Sequence, residues 1–139
     1  MKLPRNHYKS SIKYHLIFST KYRRKCLNGI KDYIFEAFKY AESKSNFKIL
    51  FMNTDNDHIH FLITCSPNYS VGQIVKRMKQ ISTFYIWKKC AKYLKQYYWK
   101  NKKILWTHGY FVGTIGNVSE KKIEEYILNQ GNSNTKLKT

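Results

Sequence analysis

The sequence predicts an α+β fold, a single domain in which a four-stranded antiparallel sheet carries its helices on one face. Three observations predict it. Four short runs rich in β-branched and aromatic residues are spaced along the chain. Two longer stretches between them place apolar residues at helical spacing, and a third such stretch follows the last strand. The resulting order, β-α-β-β-α-β-α, matches the ferredoxin-like βαββαβ plan with a helix added at its C-terminal end.

The first strand is YHLIFST (14–20), with partial alternation, and the basic cluster KYRRK (21–25) after it reads as a loop. From Gly29 to Lys44, the positions Ile30, Ile34, Ala37, Phe38 and Ala41 trace one face of a helix. FKILFMN (47–53), the polar turn TDND and HIHFLITC (58–65) predict a β-hairpin. Ser70 is a suitable N-cap for a helix with Val71, Ile74, Val75, Met78 and Ile81 on one stripe. That helix, or two in succession, extends to about Tyr98. WTHGYFVGT (106–114) predicts the fourth strand, ended by Gly113 and Gly116. Ser119 then caps a last helix, EKKIEEYILNQ, which Gly131 stops and which Ile123, Ile127 and Leu128 dock. With no internal repeat and no low-complexity linker, residues 1–131 form one domain, and the polar tail 132–139 is expected to be flexible.

Charge narrows the function. The chain has 139 residues, 26 of them Lys or Arg and 8 Asp or Glu, a formal net charge of +18. At 42% apolar and 17% aromatic it has the means to form a core, so it is not a disordered basic tail. No fold requires so positive a field, and its natural partner is a polyanion, nucleic acid before all. An anionic membrane is the rival partner, but it would need a basic amphipathic helix or a lipidation signal. The opening MKLPRNHYKSS lacks the apolar stretch of a signal peptide, and no run reaches membrane-spanning length. Cys26, Cys65 and Cys90 lack CxxC spacing and read as reduced thiols of a cytoplasmic protein.

His58 and His60 stand one residue apart in HIHFLI, and in a strand they share a face. Spacing alone allows two readings, a pair of polar residues on the wet side of a sheet or half a metal site. With Ile59, Phe61 and Ile63 turned toward the helices, both imidazoles face the open side, as a ligand site requires. A second pair, Tyr126 and Gln130, lies four apart on the last helix and so on one face of it. Taken together, the pairs suggest two imidazoles and an amide carbonyl around a cation, which keeps its full charge to polarise a phosphodiester. A phenol one helical turn away is then placed as a nucleophile.

These residues resemble the single-tyrosine (Y1) HUH transposases of the IS200/IS605 insertion sequences, Ile59 being the hydrophobic residue between the histidines. The resemblance runs from about Tyr14 to Gln130: YHLIFSTKYRRK, DHIHFLI, SVGQIVKRMKQIST, LWTHGYFVGTIG and EEYILNQ occur in order. It implies a homodimer acting on single-stranded DNA with hairpin ends. It implies Mg²⁺ or Mn²⁺ held by His58, His60 and Gln130, and Tyr126 as the nucleophile forming a 5′-phosphotyrosine. Strands then rejoin without ATP or any nucleotide cofactor. In such dimers the tyrosine helix of one subunit can serve the histidines of the other, and GTIGN (113–117) is a suitable link for that exchange.

Lys21, Arg23 and Arg24 of KYRRK, and Lys76 and Lys79 of KRMKQ, are the candidate phosphate contacts. KYLKQYYWKNKK (92–103) mixes bases with aromatics, but Tyr93, Leu94, Tyr97 and Tyr98 fall at helical spacing and read as packing residues. His108 reads as an ordinary strand histidine. The alternative to an enzyme is a non-catalytic or domesticated hairpin-binding protein of the same fold. Such a protein has no physical need for His58, His60, Tyr126 and Gln130 together.

Overall fold

A computed structural model describes residues 12–99, 102–114 and 117–130, with side chains from 120 onward in the last segment. The elements run β1 (Ile12–Ser19), α1 (Lys31–Ser43), β2 (Phe47–Thr54), β3 (His58–Cys65), α2 (Val71–Leu94), β4 (Phe111–Thr114) and α3 (Asn117–Leu128). All strand pairs are antiparallel and the sheet order is β2-β3-β1-β4, the split βαβ arrangement expected from the element order.

One face of the sheet carries the main core. Leu16 and Phe18 of β1 and Ile59, Phe61 and Ile63 of β3 pack there against Ile34, Ala37 and Phe38 of α1 and Ile74, Val75 and Met78 of α2. The helical stripes read from the sequence are therefore the buried ones. Ser70 caps α2 with a full capping box, its hydroxyl accepting from the Gln73 N–H while the Gln73 side chain accepts from the Ser70 N–H. A backbone break at Cys90 (φ −127°, ψ 28°) divides α2 near its end. Tyr98, buried beyond it, donates to the carbonyls of Lys21 and Leu105.

Among the described elements, α3 is the one that covers the opposite face. Alternation along β3 turns His58, His60 and Leu62 toward it, and Leu62, Ile123 and Ile127 form a small second core with Phe51 and Tyr126 at its edge. A β-bulge lies beside this dock. The β2–β3 register shifts between Ile49 and Phe51, leaving Leu50 as an extra residue. Before the bulge Phe47 and Ile49 face the main core, and after it Met52 does. Phe51 and Asn53 turn to the α3 side, where Phe51 meets Leu62 and the Asn53 amide donates to the Leu128 carbonyl at 3.3 Å. The N-terminal turn of α3 is tied down by Lys13, whose ammonium lies 2.6 Å from a Glu120 carboxylate oxygen.

Four expectations change in detail. The fourth strand occupies only 111–114. Thr20 bridges Trp106 and Ile17 pairs with Phe111, so β1 advances three residues while the other chain advances five. The excess is thrown out as a bulge whose Thr107, His108 and Gly109 carbonyls all accept from the Lys79 ammonium, at 2.8, 3.0 and 2.9 Å. His108 is thus an exposed bulge residue and not a strand residue. Ser119 does not cap α3, which already begins at Asn117. Leu128 does not dock it either: the side chain is 58% exposed, because Ile123 and Ile127 already use the inward face. Ile115 and Gly116 of the GTIGN link, Gly131 and the tail 132–139 lie outside the described residues.

Candidate active site

His58 is the first residue of β3, held at the end of a short β2–β3 turn. There the Asp55 N–H donates to the His58 carbonyl at 2.9 Å. Its Nδ1 lies 2.9 Å from Asp57 Oδ1. A carboxylate only accepts, so Nδ1 carries the hydrogen and, in the neutral ring, Nε2 carries the lone pair. That Nε2 lies 3.2 Å from Gln130 Oε1, 72 residues away in sequence. The Gln130 amide is oriented from its other end, since its Nε2 donates to the Tyr126 carbonyl at 3.2 Å. Two acceptors are thus aimed at one another. A cation between them resolves the conflict, and adjacent donors of an octahedral ion at about 2.1 Å stand about 3 Å apart.

His60, two residues on, is 2% exposed, and its Nε2 is buried without a hydrogen-bond partner. The donor set His58 Nε2, His60 Nε2 and Gln130 Oε1 therefore fits a divalent cation, with Asp57 behind His58 as the outer partner that fixes its ring. Among the described residues no three His, Cys, Asp or Glu side chains gather in such a way, so the amide is what completes the set. Burial lowers His60 to about 3, with the neighbouring His58 and His15 adding to the effect, and burial lowers His15 to about 4. Both rings are neutral at pH 7. At Asp57 burial raises the carboxyl, but the hydrogen bonds from His58 and Arg23 outweigh it and the net direction is downward.

Tyr126 lies on the face of α3 that meets the sheet. Its ring packs edge-on to His60, with centroids 5.1 Å apart, and to His15 at 6.3 Å. The structure therefore brings all four predicted site residues, His58, His60, Tyr126 and Gln130, together within one chain.

The basic residues divide. Arg23 reaches the site through Asp57, its Nε donating to Oδ2 at 3.1 Å. The loop is bent to allow this: Tyr22 and Arg23 both have positive φ, 61° and 53°, a conformation costly for side-chain-bearing residues. Bonds from Lys21 N–H to the Leu105 carbonyl and from Thr20 N–H to the Asp57 carbonyl hold it there. Lys21 and Arg24 flank the exposed Tyr22 ring at 5.5 and 5.8 Å. Lys76 is exposed on α2, in the helix layer across the sheet from the histidines. Lys79 has its ammonium taken up by the 107–109 carbonyls, so it braces the bulge and is not free for phosphate.

Sequence reasoning missed two residues. Asp57 was visible only as part of a turn, and its contact with His58 needs the fold. His15 in YHLIFST gave no signal of its own, because its place beside His60 depends on the register between β1 and β3.

Comparison with known proteins gives a consistent result. Residues 8–130 match the family model described as transposase, IS200-like. The chain is 32% identical over 126 residues to the transposase for insertion sequence element IS200 of Salmonella typhimurium, covering 89% of this chain and 80% of that one. It is 26% identical over 124 residues to the ISDra2 transposase TnpA of Deinococcus radiodurans, covering 88% and 86%. Among solved structures it resembles a putative transposase from Deinococcus radiodurans, with a TM-score of 0.62, 28% identity and coverage of 94% and 98%. A REP-associated tyrosine transposase bound to a REP hairpin shares the fold, with a TM-score of 0.64, 15% identity and coverage of 93% and 72%.

Proposed function

Since the chain belongs to the family of IS200-like transposases, enzymes that cut and join DNA, we propose that it cleaves and rejoins single-stranded DNA at hairpin-bearing element ends through Tyr126. The Tyr126 oxygen attacks the scissile phosphorus, the bond to the 3′ oxygen breaks, and a 5′-phosphotyrosine and a free 3′-OH result. The phenolic proton leaves the nucleophile and a proton is taken up at the departing 3′ oxygen. Rejoining is the reverse displacement by a 3′-OH, so bond energy is retained in the adduct.

The observation that carries this reading is the 3.2 Å approach of Gln130 Oε1 to His58 Nε2, which seats the tyrosine helix on the histidine strand. His58, His60 and Gln130 would hold Mg²⁺ or Mn²⁺. Such an ion supplies charge to polarise the phosphodiester and lower the cost of the phenolate. Asp57 keeps His58 turned inward, and α3 positions the phenol against His60. Arg23, Arg24 and Lys21 offer phosphate contacts beside the site, and Lys76 offers one on the far layer. A homodimer is the expected working form. REP hairpin binding by a protein of this fold supports hairpin DNA as the ligand class.

The test is an end-labelled single strand carrying the element's hairpin end, incubated with Mn²⁺ or Mg²⁺ and analysed in denaturant. A covalent protein–DNA adduct is expected that requires the metal and disappears in Tyr126→Phe. Hairpin binding with no adduct under either metal would instead identify a non-catalytic binding protein.

A further inference from the structure

His15 is a buried imidazole with no part in the reaction as drawn above. It stands on β1 directly opposite Leu62 and diagonal to His60, on the face covered by α3. Only 2% of it is exposed. Its ring stacks on that of His60, with centroids 5.4 Å apart and planes 23° from parallel, and its Nε2 lies 3.2 Å from His60 Nδ1. The edges of Phe111, at 5.6 Å, and Tyr126 close around it.

A neutral imidazole has one N–H and one lone pair, so the His15–His60 contact admits two arrangements. In one, His15 donates and the His60 hydrogen sits on Nε2. That nitrogen is buried with no acceptor for the hydrogen, which also blocks it as a ligand. In the other, His60 donates from Nδ1 to His15 Nε2, and its own Nε2 presents a lone pair. Only the second is compatible with a cation beside His58 and Gln130.

We propose that His15 is a positioning residue: by accepting the His60 Nδ1–H, it fixes the tautomer and ring angle that present His60 Nε2 to a divalent cation. The proposal rests on His60 being a ligand. His15 does for His60 what Asp57 does for His58, with one difference. Asp57 is an anion and strengthens its imidazole as a donor, whereas His15 is neutral and acts through geometry alone.

Two substitutions separate positioning from packing. His15→Phe keeps a ring in the stack but cannot accept a hydrogen bond, whereas His15→Gln restores an acceptor without the ring. In ¹⁵N-labelled, metal-free protein, long-range ¹H–¹⁵N spectra report which nitrogen of each histidine carries the hydrogen. Wild-type His60 is expected to carry it on Nδ1, His15→Phe to lose that preference, and His15→Gln to regain it. Mn²⁺ affinity, read by electron paramagnetic resonance without DNA, is expected to fall about 10–100-fold in His15→Phe and to recover largely in His15→Gln.

Hydrogen on Nε2 in the wild type overturns the proposal. So does His15→Phe with an unchanged tautomer and unchanged Mn²⁺ affinity. Should His15→Phe not fold, the wild-type tautomer and the Mn²⁺ affinity of His15→Gln decide. The expected tautomer in a wild type with no Mn²⁺ affinity overturns the metal reading itself, and the proposal with it.

Discussion

Asp57 joins two systems at the scale of single atoms. One carboxylate oxygen orients His58 and the other accepts from Arg23, so the basic loop and the candidate metal ligand share a partner. The neighbouring imidazoles, His15 and His60, are held neutral by burial, at about 4 and about 3. Unfolded, both titrate near 6.5. Between those values the unfolded chain binds more protons than the folded one, so stability rises with pH across that interval and is lost as pH falls below about 6.5. The slope is at most about 1.4 kcal/mol per pH unit for each histidine. Thermal melts in a chelating buffer should therefore show a midpoint that drops steadily from pH 7 to pH 5, more shallowly in His15→Phe. A flat profile would mean that both rings accept a proton in the folded state, and a slope halved from the expected one that a single ring does. The sequence revealed His58 and His60 because strand alternation is local, two residues of reading. It concealed His15 because a partner 45 positions away is set by strand register, which no local pattern carries.

At the scale of elements, α3 is docked on the sheet through a small set of side chains. Ile123 and Ile127 pack against Leu62 and Phe51, Tyr126 packs against His60, Lys13 pairs with Glu120, and Asn53 and His58 meet the helix end. Ile127→Ala should remove about 2–4 kcal/mol from this docking and little from the sheet. Amide exchange in α3 is then expected to quicken by about tenfold or more, with β3 amides keeping their protection. Equal acceleration in both would show that α3 and the sheet open as one unit. The helix itself was legible from its period, as were α1 and α2. The fourth strand was legible only in part, because WTHGYFVGT has strand composition throughout. Its first half is diverted by a lysine 28 to 30 residues earlier, whose ammonium draws three carbonyls out of the ladder.

Across the whole molecule, a charge of +18 predicts DNA binding that weakens steeply with salt. Each phosphate neutralised on a single strand contributes about 0.7 to the slope of log K against log salt. Fluorescence anisotropy with a hairpin-bearing oligonucleotide should give a slope of about −3 or steeper, and a slope near zero would remove the electrostatic basis of the reading. How β2 serves the molecule's two sides changes at Leu50. Taking one residue of β2 out of the ladder puts odd-numbered side chains on the main core before the bulge and even-numbered ones there after it. It acts on the sequence as a frameshift does in a gene: the reading upstream is unchanged, and everything downstream is read one position out of step. Leu50 is itself 38% exposed, so its identity matters little. Ile49 and Phe51 already oppose the adjacent residues Ile63 and Leu62, so a strand without residue 50 keeps every partner and every face. Leu50→Thr and deletion of residue 50 should both leave adduct formation near the parental level. Loss of the adduct on deletion would show that the bulge itself, and not only the facing of Phe51 and Asn53, is needed to seat α3. Tolerance at this point of β2 is thus for length as well as identity, and an alignment that scores only substitutions would miss it.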